Sequence, residues 1–257
     1  MVRALRATVG PAIVLGIVIG VWYAVSYLVL DRPRRFLLPP LHVVVSNAFL
    51  TGSNLVTLLK ALGTTAEISM IGLGIAAGAG LLFAIIMSQT RALERALYPY
   101  LVVLQTIPIL AIVPLIGFWM GFGSSARIVV CVLISVFPIS ANAHFGLRSP
   151  TAPQQDLFLL HQAGRFAKLL KLDLPAALPA ILAGFRISAG LSVIGEIVGG
   201  FFFQKGPTDL GILLNVYVSN LDSAQLFGAI ILSSFLGVVV FWVFSLVATL
   251  TVGKWKE

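Results

Sequence analysis

Charge is what this chain has least of. Only 10% of its 257 residues are Asp, Glu, Lys or Arg, against roughly a quarter in soluble domains. With 59% apolar residues and a mean hydropathy of +1.04, it cannot present a surface suited to water. That excludes a soluble globular domain, and the same composition excludes disorder. Cysteine is nearly absent too. Cys131 stands alone, so a disulfide scaffold is excluded. Acids are scarcer than bases, 9 against 17, giving a net charge of +8. In a soluble protein that excess would point to nucleic acid. In a chain this apolar it places basic residues at anionic lipid headgroups, and no nucleic-acid partner is expected.

What the chain has instead is long apolar runs. Six reach the ~20 residues that a spanning helix needs, at about 11–30, 64–87, 97–120, 128–147, 177–203 and 226–252. The first is too long for a signal-peptide core, and no small-x-small cleavage site follows it. Alternating ten-residue strands, the mark of a barrel, are not seen. The sequence therefore predicts an all-α, polytopic membrane protein, one permease-like domain over 1–257. Basic residues place both termini inside. Arg3, Arg6, Arg91, Arg95, Arg148, Arg165, Lys168, Lys171, Lys254 and Lys256 then face the cytoplasm, against Arg32, Arg34, Arg35, Lys60, Arg127 and Lys205 outside. No internal repeat supports the inverted-repeat design of many secondary transporters.

One polar connection, 149–175, faces the cytoplasm in this topology. Thr151 and Gln154 have capping-box spacing and Pro153 suits a first turn. From there an amphipathic helix over 156–172 is expected, with Arg165, Lys168 and Lys171 on one broad face and Leu159, Phe166, Leu169 and Leu170 elsewhere. Its residues alone allow a helix lying on the bilayer surface or a docking helix for a cytoplasmic partner.

The run Ala163-Gly164-Arg165-Phe166, continuing to Leu174-Pro175-Ala176-Ala177-Leu178-Pro179-Ala180-Ile181-Leu182-Ala183-Gly184-Phe185-Arg186, resembles the cytoplasmic-loop signature of bacterial ATP-binding-cassette importer permeases. The likeness is to the nitrate/sulfonate/taurine-type branch. Leu37-Leu38-Pro39-Pro40, Gln105-Thr106-Ile107-Pro108, Pro114-Leu115, Trp119-Met120-Gly121-Phe122-Gly123, Phe137-Pro138-Ile139, Asn142 and Gly146 follow that branch in order. There are departures. The family's loop carries Glu-Ala-Ala and then a glycine thirteen residues before the proline. Counting back from Pro175 puts Asp156-Leu157-Phe158 and Gln162 there, with Gly164 two residues late. Many relatives also have a glutamate where Gly200 stands, whereas the acid here is Glu196.

The resemblance implies a type I importer permease, located in the bacterial inner membrane. Its implied partners are ATPase subunits docked on Asp156, Gln162, Gly164, Arg165, Lys168 and Pro175, a second permease copy or sister permease, surrounding lipid, and an extracytoplasmic binding protein. Relatives carry small oxyanions, sulfonates, thiamine pyrimidine precursors or riboflavin. No Gly-x-x-x-x-Gly-Lys-Ser/Thr run occurs, so ATP and Mg2+ are expected on the partner and no cofactor or catalysis in this chain. The histidines have no metal-ligand spacing. A stand-alone secondary transporter or channel is the alternative.

Ionisable groups in a span face protein or a water-filled path. Arg186 and Glu196 are ten positions apart, about 15 Å along a helix, and cannot pair within it. Glu196 is read as a pathway or gate residue, Arg186 as either that or a boundary anchor, and Glu67 as a partner for Arg186. Pro108, Pro114 and Pro138 are expected to kink their spans, either to shape a gate or as ordinary packing devices. Gly72, Gly74, Gly78 and Gly80 make a small-residue face, with Gly74 and Gly78 expected to pack closely in the bundle, dimerisation being the alternative. Phe201-Phe202-Phe203, with Trp22, Tyr23, Trp242 and Trp255, reads as an interfacial aromatic belt.

Overall fold

A computed structural model describes residues 2–252, with side chains from 9 to 251. Helix α1 (Val2–Ala24) closes in a π turn over Val25–Val29. A 3-10 turn (Arg32–Leu37) leads to α2 (Leu41–Val45), which also ends in a π turn. Then come α3 (Gly52–Gln89), α4 (Arg91–Thr106), α5 (Ile109–Met120), α6 (Ser124–Leu147), α7 (Ala152–Leu160), α8 (Arg165–Lys168), α9 (Leu174–Phe202), α10 (Leu210–Ser219) and α11 (Ser223–Val252). No strand occurs among the described residues. Lys254, Trp255 and Lys256, and the side chains of Arg3 and Arg6, lie outside the described residues.

Among the described residues, five helical stretches are long and apolar enough to cross a membrane, and α4 with α5 makes a sixth only as a bent pair. This corrects the single span expected over 97–120. Its two halves meet at 98°, because Pro108 supplies no N–H and holds Ile107 in an extended conformation, with ψ 125. The span expected over 64–87 is also longer, since α3 runs from Gly52 to Gln89. Hydropathy misses its first turns, which carry Asn54 and Lys60.

The core is α6 lying between α3 and α9, and small residues let the three backbones approach. A Cβ on Gly72 would collide with Cys131, and one on Gly80 would sit 2.8 Å from Ile139 Cγ2. Gly74 and Gly78 face open space instead. The close-packing pair is thus Gly72 and Gly80, not the expected Gly74 and Gly78. Hydroxyls fix the register. Ser188 Oγ donates to Ser135 O at 2.7 Å and Ser192 Oγ to Ser69 O at 2.6 Å. At one end of the bundle Ala84, Leu147, Ala177 and Ile181 form an apolar cluster; the connection bearing α7 and α8 leaves from this end. Helix α1 is peripheral and held through the Leu-Leu-Pro-Pro motif. Trp22 Nε1 donates to Pro39 O at 2.9 Å and Ser26 Oγ to Leu38 O at 2.9 Å.

Candidate functional site

The connection 149–175 is not the continuous helix expected over 156–172. Thr151 and Gln154 do form the capping box, with Gln154 Oε1 accepting from Thr151 N at 2.9 Å. Helix α7 then ends at Leu160, and one residue of left-handed backbone follows just beyond its C-cap. Gln162 has φ 49; its N–H donates to Leu159 O at 2.9 Å, and Ala163 N–H to Phe158 O at 3.0 Å. These are the two bonds of a Schellman motif, whose left-handed position favours glycine. That gives a physical reason for a glycine at this place in similar permeases, and marks Gln162 as carrying strain. Gly164, by contrast, has φ −62 and ψ 156 and nothing within 4 Å of a would-be Cβ. It caps α8, accepting from Lys168 N at 3.0 Å.

The break changes which residues face outward. Asp156, Arg165 and Phe166 are exposed, Lys168 is half-buried, and Pro175 sits in the first turn of α9. Leu159, Leu160 and Phe166 are 72%, 81% and 73% exposed. The sequence placed Leu159 and Phe166 only away from the basic face. Large apolar side chains left exposed on a polar connection suit an interaction site.

A second feature lies at the 98° bend. The α4–α5 elbow, α6 and α9 enclose a cavity of about 480 Å³, lined by residues such as Ile112, Ile134, Phe137, Pro138 and Ile194, with Gln105 as the one polar side chain. Pro138 lies inside α6, and its carbonyl accepts from Asn142 Nδ2 at 2.8 Å. Pro108 makes the elbow. Of the residues read as gate or pathway, Pro138 lines the cavity, and Pro108 lies in the chain between the lining residues Ile107 and Ile109.

The ionisable residues do not join them. Glu196 is fully buried on the other side of α9, and both carboxyl oxygens lack a hydrogen-bond partner. Beside it is a buried ion pair that sequence reasoning missed, Arg127 with Asp209. Arg127, expected in an outer loop, is wholly buried. It also donates to Lys205 O at 2.7 Å and Phe203 O at 3.2 Å. Asp209 caps α10, accepting from Ile212 N at 2.7 Å, and its carboxylate occupies the space that a Cβ on Gly200 would need. An acid just before the apolar run starting at Leu210 was the readable signal. Glu67 is exposed and makes no ion pair among the described residues. The Ser69–Ser192 register separates it from Arg186 by eight residues, about 12 Å of rise. Arg186 instead lies 5.2 Å from the centre of the Phe241 ring. The expected aromatic belt is also broken, because Phe203 is buried against Phe122.

Comparison with known proteins fits this arrangement. Residues 70–253 match the family described as binding-protein-dependent transport system inner membrane component. The formylaminopyrimidine transport permease protein ThiX of Halalkalibacterium halodurans is 33% identical over 209 residues, 81% of this chain and 82% of that protein. The putative aliphatic sulfonates transport permease protein SsuC of Bacillus subtilis is 31% identical over 190 residues, 73% of this chain and 66% of that one. In fold, the chain resembles one from the inward-facing MetNI methionine ABC transporter, with a TM-score of 0.54 at 17% identity over 81% of this chain and 98% of that one. The chain therefore belongs to the binding-protein-dependent transport system inner membrane components, and is a multi-pass permease subunit of an ATP-binding-cassette importer.

Proposed function

We propose that the cavity at the α4–α5 bend is part of the solute path, and that the solute is a small neutral nitrogen heterocycle of the formylaminopyrimidine kind. The lining carries this reading. It is apolar, with a single amide at Gln105 and no charged side chain. A sulfonate or nitrate would meet no cation there, while a planar heterocycle can stack on Phe137 and exchange hydrogen bonds with the amide. Similarity to ThiX supports the same class.

In this reading the connection 149–175 is cytoplasmic, as are both termini. ATPase subunits, which hold ATP and Mg2+, dock on Leu159, Leu160 and Phe166, with Asp156, Arg165 and Lys168 around them. Gln162, Gly164 and Pro175 set the path of the connection. A second permease copy completes the pathway, and the binding protein delivers solute from the other side. Glu196, buried within the bundle beside the Arg127–Asp209 pair, does not line the path itself.

The test is ATPase stimulation and uptake in proteoliposomes holding this permease, its ATPase and its binding protein. Hydroxymethylpyrimidine or its formylamino analogue is expected to stimulate, taurine is not, and Gln105→Leu is expected to lower pyrimidine uptake severalfold. Stimulation by taurine alone would overturn the solute assignment. Uptake without the ATPase would restore the stand-alone transporter.

A further inference from the structure

The end of the bundle near the 149–175 connection carries an open groove of about 570 Å³, lined by Arg91, Glu94, Arg95, Tyr98, Pro99 and Arg148. Positions 91, 94, 95 and 98 share one face of α4, at the i, i+3, i+4 and i+7 spacing. The charges on that face are not balanced. Glu94 is already paired within the groove wall, its carboxylate binding Arg148 and lying 3.0 Å from His144 Nε2 of α6. Arg91 and Arg95 are exposed, and neither makes an ion pair among the described residues. Two free guanidinium forks therefore flank a groove whose only acid is already engaged.

We propose that this groove is a discrete site for one anionic phospholipid, its phosphate held by Arg91 and Arg95. Guanidinium forks match phosphate oxygens bidentately. The depth points to a lipid rather than a free anion. Arg91 and Arg95 precede the apolar part of α4, which begins at Leu97, and Tyr98 and Tyr100 are 40% and 71% exposed beside them. Tyrosines at this level belong to the headgroup region of a bilayer. An acyl chain can then run along the exposed Val102 and Val103 of the same helix. The site is separate from the solute cavity and stands whichever solute is carried.

Native mass spectrometry of the delipidated full chain tests it, with dioleoylphosphatidylglycerol and dioleoylphosphatidylcholine as probes. One phosphatidylglycerol per chain is expected, favoured over phosphatidylcholine by about tenfold, the scale of one charge-assisted contact. Arg91→Gln with Arg95→Gln is expected to remove that preference, and Arg91→Lys with Arg95→Lys to keep part of it, as point charges without the fork. Equal binding of the two lipids by the native chain would overturn the proposal. So would an unchanged preference in the glutamine variant. Displacement of bound lipid by millimolar inorganic phosphate would reassign the groove to a free anion. Should the glutamine variant not fold, the native lipid preference and the lysine variant decide.

Discussion

Arg127 on α6 and Asp209 at the start of α10, 82 residues apart in sequence, form an ion pair with no exposed side-chain surface. The pair ties the segment after α9 to the core. Arg127 also donates to the carbonyls of Phe203, Lys205 and Pro207, so one side chain organises the whole turn. Removing one partner leaves the other charge buried and alone. Arg127→Met is expected to cost about 3–5 kcal/mol, read as a large drop in the thermal midpoint of the purified permease. Asp209→Asn is expected to cost less, because an asparagine can still cap α10. Equal, small effects would contradict the arrangement.

Gln162 predicts the opposite sign. Left-handed backbone costs a residue with a Cβ roughly 1–2 kcal/mol relative to glycine. Gln162→Gly is expected to stabilise the connection by about 1 kcal/mol after glycine's larger unfolded-state entropy is deducted. Slower proteolytic cleavage of 149–175 in the otherwise unchanged protein would register it. Faster cleavage would show that the Gln162 side chain holds the connection in some other way.

Two glycines six residues apart in α3 separate close packing from an open face. Gly72→Val would drive a side chain into Cys131 and is expected to cost about 1–3 kcal/mol. Gly78→Val meets nothing within 4 Å, and its effect on thermal stability is expected to be small. Comparable losses for both would place α3 differently against α6.

Six apolar runs and the one long polar connection between them were legible in the sequence because membrane helices announce themselves by hydropathy. The elbow at Pro108 was legible only as a kink. A proline marks a break, but the angle is set by what both halves pack against. The buried pair was not legible. Arg127 lies next to an apolar run, where a basic residue ordinarily reaches headgroups, and only tertiary structure brings Asp209 to it. The same limit hid the break after α7, because its left-handed residue is a glutamine where similar permeases carry the glycine that would have signalled it. Glu67 and Arg186 fall in adjacent helices, yet their pairing depended on a register set by Ser69 and Ser192.

Gly164 separates folding from docking. Its backbone is extended and its surroundings are open, so Gly164→Trp is expected to leave the thermal midpoint unchanged and to lower ATP-driven uptake at least tenfold. Loss of stability in step with uptake would trace the effect to the chain itself rather than to a partner.

The most direct measurement places a photo-reactive benzoylphenylalanine at Phe166, 73% exposed on the connection, in the permease assembled with its ATPase and binding protein in lipid. Illumination is expected to join the permease to the ATPase, and addition of Gly164→Trp in the same chain is expected to abolish that product. A probe that labels only lipid or the binding protein would contradict the assignment of 149–175 as the docking surface.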